Sequence, residues 1–345
     1  MAEMNSYRED LLQVFEADLP WWKLSETSIL VTGATGLIGG TLVDVLMSNP
    51  RRDYCVYASG RNVERAKERF GNYFGSDSFH FIQYDVMSPF EGDKMFDYII
   101  HAASNASPNA FSQSPVEIIK SNIFGVTNLM DYGISHGMKR FLYVSSGEVY
   151  GEGDGRVFDE AYSGYVDCLK ARSCYPSSKR ASETLCASYA SEYGVDMVIV
   201  RPCHVYGPHF TESDNRVYAQ FVRNILKGED IVMKSTGEQF RSWCYVVDCV
   251  SAFLYVLLKG TSGEAYNIAD PVSIFSIRQL AEMLAEIGHC KVVMGMPSEI
   301  EKKDYNPVQK SILSVGKLKK LGWKVSGSMQ EKMTKTINCI KEDFY

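Results

Sequence analysis

Tyr175 and Lys179 stand four residues apart in Cys174-Tyr-Pro-Ser-Ser-Lys179, downstream of a glycine-rich turn, Gly33-Ala-Thr-Gly36-Leu-Ile-Gly39. A tyrosine and a lysine at i and i+4 share one face of a helix. An ammonium beside a phenol favours the phenolate, so Tyr175 is expected to act as a base near neutral pH. The glycine turn lies between a strand and a helix. Gly33 allows the tight turn, Gly36 lets the backbone approach a pyrophosphate, and Gly39 lets helix and strand pack closely. The pyrophosphate of a dinucleotide would sit on the helix N-terminus. Together these residues imply hydride transfer between an alcohol carbon and a nicotinamide.

The elements that must position these groups are legible from periodicity. Buried-type strands are expected at Ser28 to Thr32, Tyr54 to Ala58, Phe79 to Tyr84, Phe96 to His101, Arg140 to Ser145 and Met197 to Val200. Helices are expected at Leu37 to Met47, Arg61 to Phe70, Pro115 to His136 and Pro176 to Tyr193. The alternation requires an α/β fold, a doubly wound parallel sheet with helices on both faces. After Arg201-Pro202 the rhythm breaks. A helix at Arg216 to Leu226, a hairpin-like segment near Ile231 to Glu238, and helices at Ile277 to Ile287 and Lys317 to Leu321 form a smaller, mixed C-terminal lobe at the carboxyl edge of the sheet, where substrates bind. The expected division is an N-terminal helical extension (1–24), a dinucleotide-binding domain (25–203 and 238–275) and a substrate-binding lobe (204–237 and 276–345). The extension carries Leu11, Leu12, Val14 and Phe15 ahead of Trp21-Trp22, and is expected to pack on the domain behind it.

Composition narrows the class. The 345 residues are 45% hydrophobic and carry a formal net charge of −6, so no basic field is laid out for nucleic acid. No apolar run reaches membrane-spanning length. Nine cysteines without metal-site spacing suit free thiols in a reducing cytoplasm, and no metal is expected. At the end of the second strand Ser59-Gly60-Arg61 replaces the acidic residue that usually binds the ribose of NAD. Arg61 could hold the 2′-phosphate of NADP, stack on adenine with NAD bound, or start a helix. Asp85, ending the third strand, is positioned for the adenine amine or serves as a turn residue.

The chain resembles the extended short-chain dehydrogenase/reductase family, the sugar-nucleotide epimerases and dehydratases. The resemblance rests on Thr32-Gly-Ala-Thr-Gly-Leu-Ile-Gly39, His101-Ala-Ala, Tyr143-Val-Ser-Ser-Gly-Glu-Val-Tyr-Gly151, Tyr175-x-x-x-Lys179, Arg201-Pro-x-x-x-Tyr-Gly-Pro208 and Leu321-Gly-Trp323. Within the family it is most similar to UDP-glucuronate decarboxylases, through Ala106-Ser-Pro108, Ser146-Gly-Glu-Val-Tyr-Gly151, Asn215-Arg-Val217 and Gln239-x-Arg241. The resemblance implies that Tyr175 is the base on the sugar 4-hydroxyl, that Lys179 holds the nicotinamide ribose, that Ser146 hydrogen-bonds the same hydroxyl and that Glu148 completes a catalytic set of four. It places the cofactor against Gly33, Thr35, Gly36, Leu37, Ile38, Gly39, Arg61, Asp85, Val86, Ala102, Ala103, Ser104, Ser145, Tyr175, Lys179 and Arg201. The substrate falls to Ser107, Gly147, His204, Arg216, Arg241 and Lys310.

Three positions depart from the pattern. Gly147 stands where decarboxylases carry serine and typical dehydratases carry the aspartate that protonates the leaving hydroxyl. His204 stands where the family often has asparagine, and Lys310 about where decarboxylases have an arginine for the sugar carboxylate. A lysine there supplies a point charge rather than a bidentate clamp. The resemblance therefore implies an enzyme using bound NAD, with decarboxylation first and 4,6-dehydration or 4-epimerisation as alternatives. An NADPH-dependent keto-sugar reductase and a non-catalytic NAD-binding protein stay open as further classes. It also implies a homodimer built on the Pro115 to His136 and Pro176 to Tyr193 helices.

Overall fold

The computed structural model describes residues 6–212, 214–296 and 309–344. Strand β1 (Ser28–Thr32) is buried along nearly its whole length and leads through the glycine turn into helix α1 (Leu37–Ser48). Strand β2 (Cys55–Gly60) runs on through Ser59 and Gly60, two residues beyond the expected end at Ala58. Helix α2 then begins only at Val63 and ends at Phe70, because Asn62 caps it by accepting the Arg65 N–H at 2.9 Å. Arg61 is left in the connecting loop. Strands β3 (Phe79–Gln83), β4 (Tyr98–His101), β5 (Arg140–Val144), β6 (Met197–Pro202) and β10 (Glu264–Ile268) complete a sheet in the order β10-β6-β5-β4-β1-β2-β3. Every pairing in it is parallel.

That order reverses at β1, which has β2 on one side and β4 on the other. The crevice outside the carboxyl ends of β1 and β4 is the topological switch point where doubly wound folds bind ligands. Gly33 (φ 66°) sits there, and a Cβ on it would stand 2.7 Å from the Ala102 carbonyl oxygen. A Cβ on Gly39 would fall on the Gly33 carbonyl. Both glycines are thus required by backbone approach, and Gly33 by its conformation as well.

Two long helices, Pro115–Ser135 and Cys174–Tyr193, pack against each other on one face of the sheet. Asn122 ties them together, donating to Ser178 Oγ at 2.8 Å and accepting from Ser104 Oγ at 2.8 Å. On the other face Val246–Lys259 packs against α1. Eleven of its residues are buried, which explains its nearly all-round apolar sequence. A short helix missed by periodicity, Pro108–Gln113, starts with proline at its first position and carries the buried Phe111.

The smaller lobe differs from its expected form. Ile231–Met233 makes no hairpin; it pairs in parallel with Val292–Met294, so its partner is supplied from about sixty residues away. A second sheet forms around Phe240–Tyr245, flanked by Ile274–Ser276 and Lys310–Ser311, with His204–Tyr206 also pairing to it. Phe240–Tyr245 and Ile274–Ser276 fall in or at the end of the 238–275 stretch yet pair in this sheet, whereas Val246–Lys259 and β10 of the same stretch join the larger one.

The N-terminal extension docks on the dinucleotide-binding half through a buried carboxylate. Asp44 of α1 accepts from Tyr7 Oη at 2.7 Å and from Tyr73 Oη at 3.2 Å, and forms an ion pair with Arg69. Removing one partner of a buried pair leaves the other charge uncompensated. Asp44→Ala is therefore expected to lower unfolding free energy by about 3–5 kcal/mol. Urea denaturation checks this; a change under about 1 kcal/mol would mean that Arg69 and Tyr7 find water instead.

Candidate active site

A cleft of about 1170 Å³ runs along the carboxyl edge of the large sheet and under the smaller lobe. At one end its wall is the glycine turn, Gly33 to Gly39, with Thr35, Leu37 and Ile38. Ser59, Gly60, Arg61 and Arg65 close that end on the β2 side, and Asp85 and Val86 on the β3 side. Asp85 accepts the Met87 N–H at 3.0 Å and is exposed. The floor is Ala102, Ala103 and Ser104 after β4, and Ser145 after β5. The α1 N-terminus opens onto this wall, and the Gly33 and Gly39 cradle admits no side chain. The residues present therefore fit a dinucleotide.

Toward the other end the cleft gathers Ser146, Gly147, Glu148, Tyr175, Lys179, Ser107, His204 and Arg216. Ser146, two residues past the end of β5, has extended backbone and caps a turn by accepting the Glu148 N–H at 3.2 Å. Tyr175 and Lys179 lie in the first turns of the helix Cys174–Tyr193 and are both buried. The Tyr175 hydroxyl lies beside Ser146, and its ring stacks on Phe111 with centroids 4.6 Å apart. Lys179 Nζ donates to the Val144 carbonyl at 2.8 Å and stands 5.8 Å from the Tyr175 ring centroid.

The electrostatics correct one expectation. The tyrosine is not held as a phenolate by its lysine neighbour. Burial, with the Glu148 charge behind it, pushes the Tyr175 hydroxyl up to about 12, while Ser146, Arg216 and Arg172 oppose that rise. Burial also pulls Lys179 down to about 7. Spacing put the two groups on one helix face, but the same packing that buries them disfavours both charges. His204 is likewise held neutral, lowered to about 3 by burial and by Arg241 and Arg216.

Three residues expected at the site lie off the cleft. Arg201 points into a structural knot, donating to both Glu183 carboxylate oxygens at 2.9 and 2.6 Å and to Tyr150 Oη at 3.0 Å. Arg241 is buried behind the wall, where it donates to the Phe240 carbonyl at 2.8 Å. Lys310 is exposed, and its strand neighbour Ser311 faces the cleft instead. Alternation of side chains along a strand accounts for the swap. Gly147 leaves no acid at its position; a Cβ there would touch Leu313 at 3.4 Å and the Pro202 carbonyl at 3.5 Å.

Other groups enter that sequence reasoning missed. Arg172, on the turn Ala171–Ser173, grips both oxygens of Glu148 at 2.8 and 2.9 Å. Asp214 binds Arg216, accepting from its Nε at 3.0 Å. Ser107 donates to Asn215 Oδ1 at 3.0 Å, which links the two sides of the cleft. An arginine three residues before Tyr175 is one helical turn away and was a visible signal. Its pairing with Glu148, twenty-four residues distant, was not.

Comparison with known proteins agrees with this geometry. Residues 29–269 match the NAD-dependent epimerase/dehydratase family. UDP-glucuronic acid decarboxylase 6 of Arabidopsis thaliana is 33% identical over 93% of this chain and 89% of its own length. UDP-glucuronic acid decarboxylase 1 of Xenopus tropicalis is 31% identical over 91% of this chain and 72% of its own. Among solved structures, the UDP-glucose 4-epimerase of Thermotoga maritima with UDP-glucose superposes with a TM-score of 0.77 at 27% identity, covering 92% of this chain and 100% of that one. The dTDP-glucose 4,6-dehydratase of Streptomyces venezuelae, solved with NAD, shares the fold with a TM-score of 0.78 at 22% identity, over 92% and 97% of the two chains. The chain belongs to the NAD-dependent epimerase/dehydratase family. It is an enzyme of that family and its cofactor is NAD. Among the described residues no helix is long and apolar enough to cross a membrane.

Proposed function

We propose that this enzyme acts on a nucleotide sugar, oxidising the C4 hydroxyl and then decarboxylating the 4-keto sugar at C5, as its UDP-glucuronic acid decarboxylase relatives are named for. The observation that supports it best is the convergence of Tyr175, Ser146 and Glu148 on one wall, with Ser146 capping the turn that carries the Glu148 carboxylate. One cleft thus holds a proton acceptor for an alcohol and a second acid/base group beside it. NAD, held by the glycine turn and Lys179, supplies the hydride acceptor and a positive charge near the phenol.

Tyr175 takes the proton of the sugar 4-hydroxyl, and Ser146 orients that hydroxyl. The C4 ketone then accepts the electron pair left at C5 when carbon dioxide departs. Glu148 relays to C5 a proton taken from solvent, which replaces the departed carboxylate. Tyr175 gives its proton back to the C4 oxygen, and hydride returned to C4 by bound NAD would leave no net redox change. Gly147 offers no acid for a leaving 6-hydroxyl, which favours decarboxylation over dehydration. Arg61 lines the adenosine end of the cleft and is proposed to stack on the adenine of NAD.

The test is to incubate the purified holoenzyme with UDP-glucuronate and weigh the product by mass spectrometry. Loss of carbon dioxide with cofactor retained is expected. Loss of water, unchanged mass with inverted C4, or stoichiometric cofactor consumption would each replace this reading with a named alternative.

We also propose a homodimer through the helices Pro115–Ser135 and Cys174–Tyr193. Val116, Ile119 and Ile134 are exposed on one face of the first of these. Light scattering at micromolar concentration is expected to show a dimer and Ile119→Glu a monomer; a monomeric wild type would refute the assignment. All nine cysteines are free thiols, which supports a cytoplasmic location that cell fractionation would check.

A further inference from the structure

Arg172 spends both terminal nitrogens and one flat face of its guanidinium beside the catalytic groups. Its two terminal nitrogens donate to the two oxygens of Glu148, at 2.8 and 2.9 Å. A fork-to-fork pair of this kind fixes the plane of the carboxylate as well as its position. The flat of the guanidinium lies over the Phe111 ring, 4.8 Å from its centroid. Phe111, fully buried, stacks in turn on Tyr175 at 4.6 Å and 22°. Guanidinium, phenyl and phenol thus form three layers. The outer layers hold the carboxylate assigned to C5 and the hydroxyl assigned to C4.

The chain path makes this bridge consequential. Glu148 rides on the turn Gly147–Tyr150 after β5, Phe111 on the short helix Pro108–Gln113, and Tyr175 on the helix that starts at Cys174. These three elements are joined at the site by one side chain from a three-residue turn. The Arg172 side chain is 19% exposed and that of Glu148 27%, so the pair is shielded enough to hold its geometry.

We infer that Arg172 is a positioning residue that holds the Glu148 carboxylate in register with the Tyr175 hydroxyl, so that oxidation at C4 and the proton step at C5 occur on one bound sugar. This rests on the reading of the site given above. Losing the clamp lets Glu148 swing within its turn, and an ångström of misplacement at a reacting group costs about a hundredfold in rate.

The test compares holoenzymes of the wild type, Arg172→Met, Arg172→Lys, Glu148→Gln and the double variant Glu148→Gln/Arg172→Met, assayed with UDP-glucuronate. Methionine keeps apolar packing on Phe111 but cannot hold the carboxylate. Turnover of Arg172→Met is expected to fall about a hundredfold with KM changed by less than about threefold. Reduced nicotinamide and 4-keto sugar should accumulate in a single turnover. Lysine, which reaches one oxygen at a time, should restore turnover only in part. The double variant should be no slower than Glu148→Gln alone, because a residue acting through another loses its effect when that partner is removed. Bound NAD content and near-ultraviolet circular dichroism confirm that each variant is folded.

The inference is overturned if Arg172→Met retains wild-type turnover, if its loss falls wholly on KM, or if the two substitutions multiply. If the wild type leaves UDP-glucuronate unchanged, the decarboxylase reading fails. The same five proteins, assayed on the sugar nucleotide the wild type does convert, then still decide the role of Arg172.

Discussion

Tyr175→Phe is expected to lower turnover by about a thousandfold while NAD remains bound at its wild-type level. The substitution removes one oxygen and little else. The ring keeps its stack on Phe111, and the cofactor cradle at Gly33 and Gly39 lies on other elements. What disappears is the proton acceptor beside Ser146. Burial holds the hydroxyl near 12, so only a small fraction of it is ionised at neutral pH in the protein alone. A group so placed needs an added positive charge to become a good base, which the pyridinium ring of NAD provides. Single-turnover formation of reduced nicotinamide measures the step directly. Turnover within about tenfold of wild type would remove Tyr175 from the mechanism.

The second large effect concerns Lys179, and here activity and stability move in opposite directions. Lys179→Met should abolish most turnover, since the proposed ribose contact and the charge near the nicotinamide are lost. The same change should stabilise the protein at low pH. The lysine titrates at about 7 in the folded protein, against 10.5 for a lysine in solvent. Between those values the unfolded chain binds more protons than the native one, so wild-type stability rises with pH across that window. Below about pH 7 the full cost of burying the ammonium is present. Methionine carries no such cost, although it forfeits the bond to Val144. The variant should exceed wild type by a few kcal/mol at pH 6, on the order set by the pKa difference, and the gap should close toward pH 10. Urea midpoints at several pH values test this. A gap independent of pH would mean that Lys179 titrates as an exposed lysine does.

Legibility tracked the range of the interaction. The strand–turn–helix at Gly33 to Gly39 was readable because its constraints act within seven residues. The parallel sheet was readable because buried strands and amphipathic helices alternate, and only a doubly wound arrangement covers both faces of such strands. The helix Pro108–Gln113 escaped because six residues carry too little period to distinguish it from a loop. The pairing of Ile231–Met233 escaped because its partner, Val292–Met294, is remote in sequence.

The site divided along the same line. That Tyr175 and Lys179 share a helix face follows from helix geometry, and the structure retains it. Whether they are charged does not follow, because desolvation depends on everything packed around them. Arg201, Arg241 and Lys310 had the right residue types near the right motifs, yet Arg201 is taken up by Glu183, Arg241 is buried against the Phe240 carbonyl, and Lys310 is exposed. Arg172 had no motif and stands at its centre.

By itself, then, the sequence determined the fold class, the dinucleotide turn and the tyrosine–lysine pair, since all three are written in local spacing and side-chain period. Only the tertiary structure decided which cations face the cleft, how Glu148 is held, and what burial does to the tyrosine and the lysine. Those properties belong to contacts between distant segments, and their energies exist only once water has been excluded from between them.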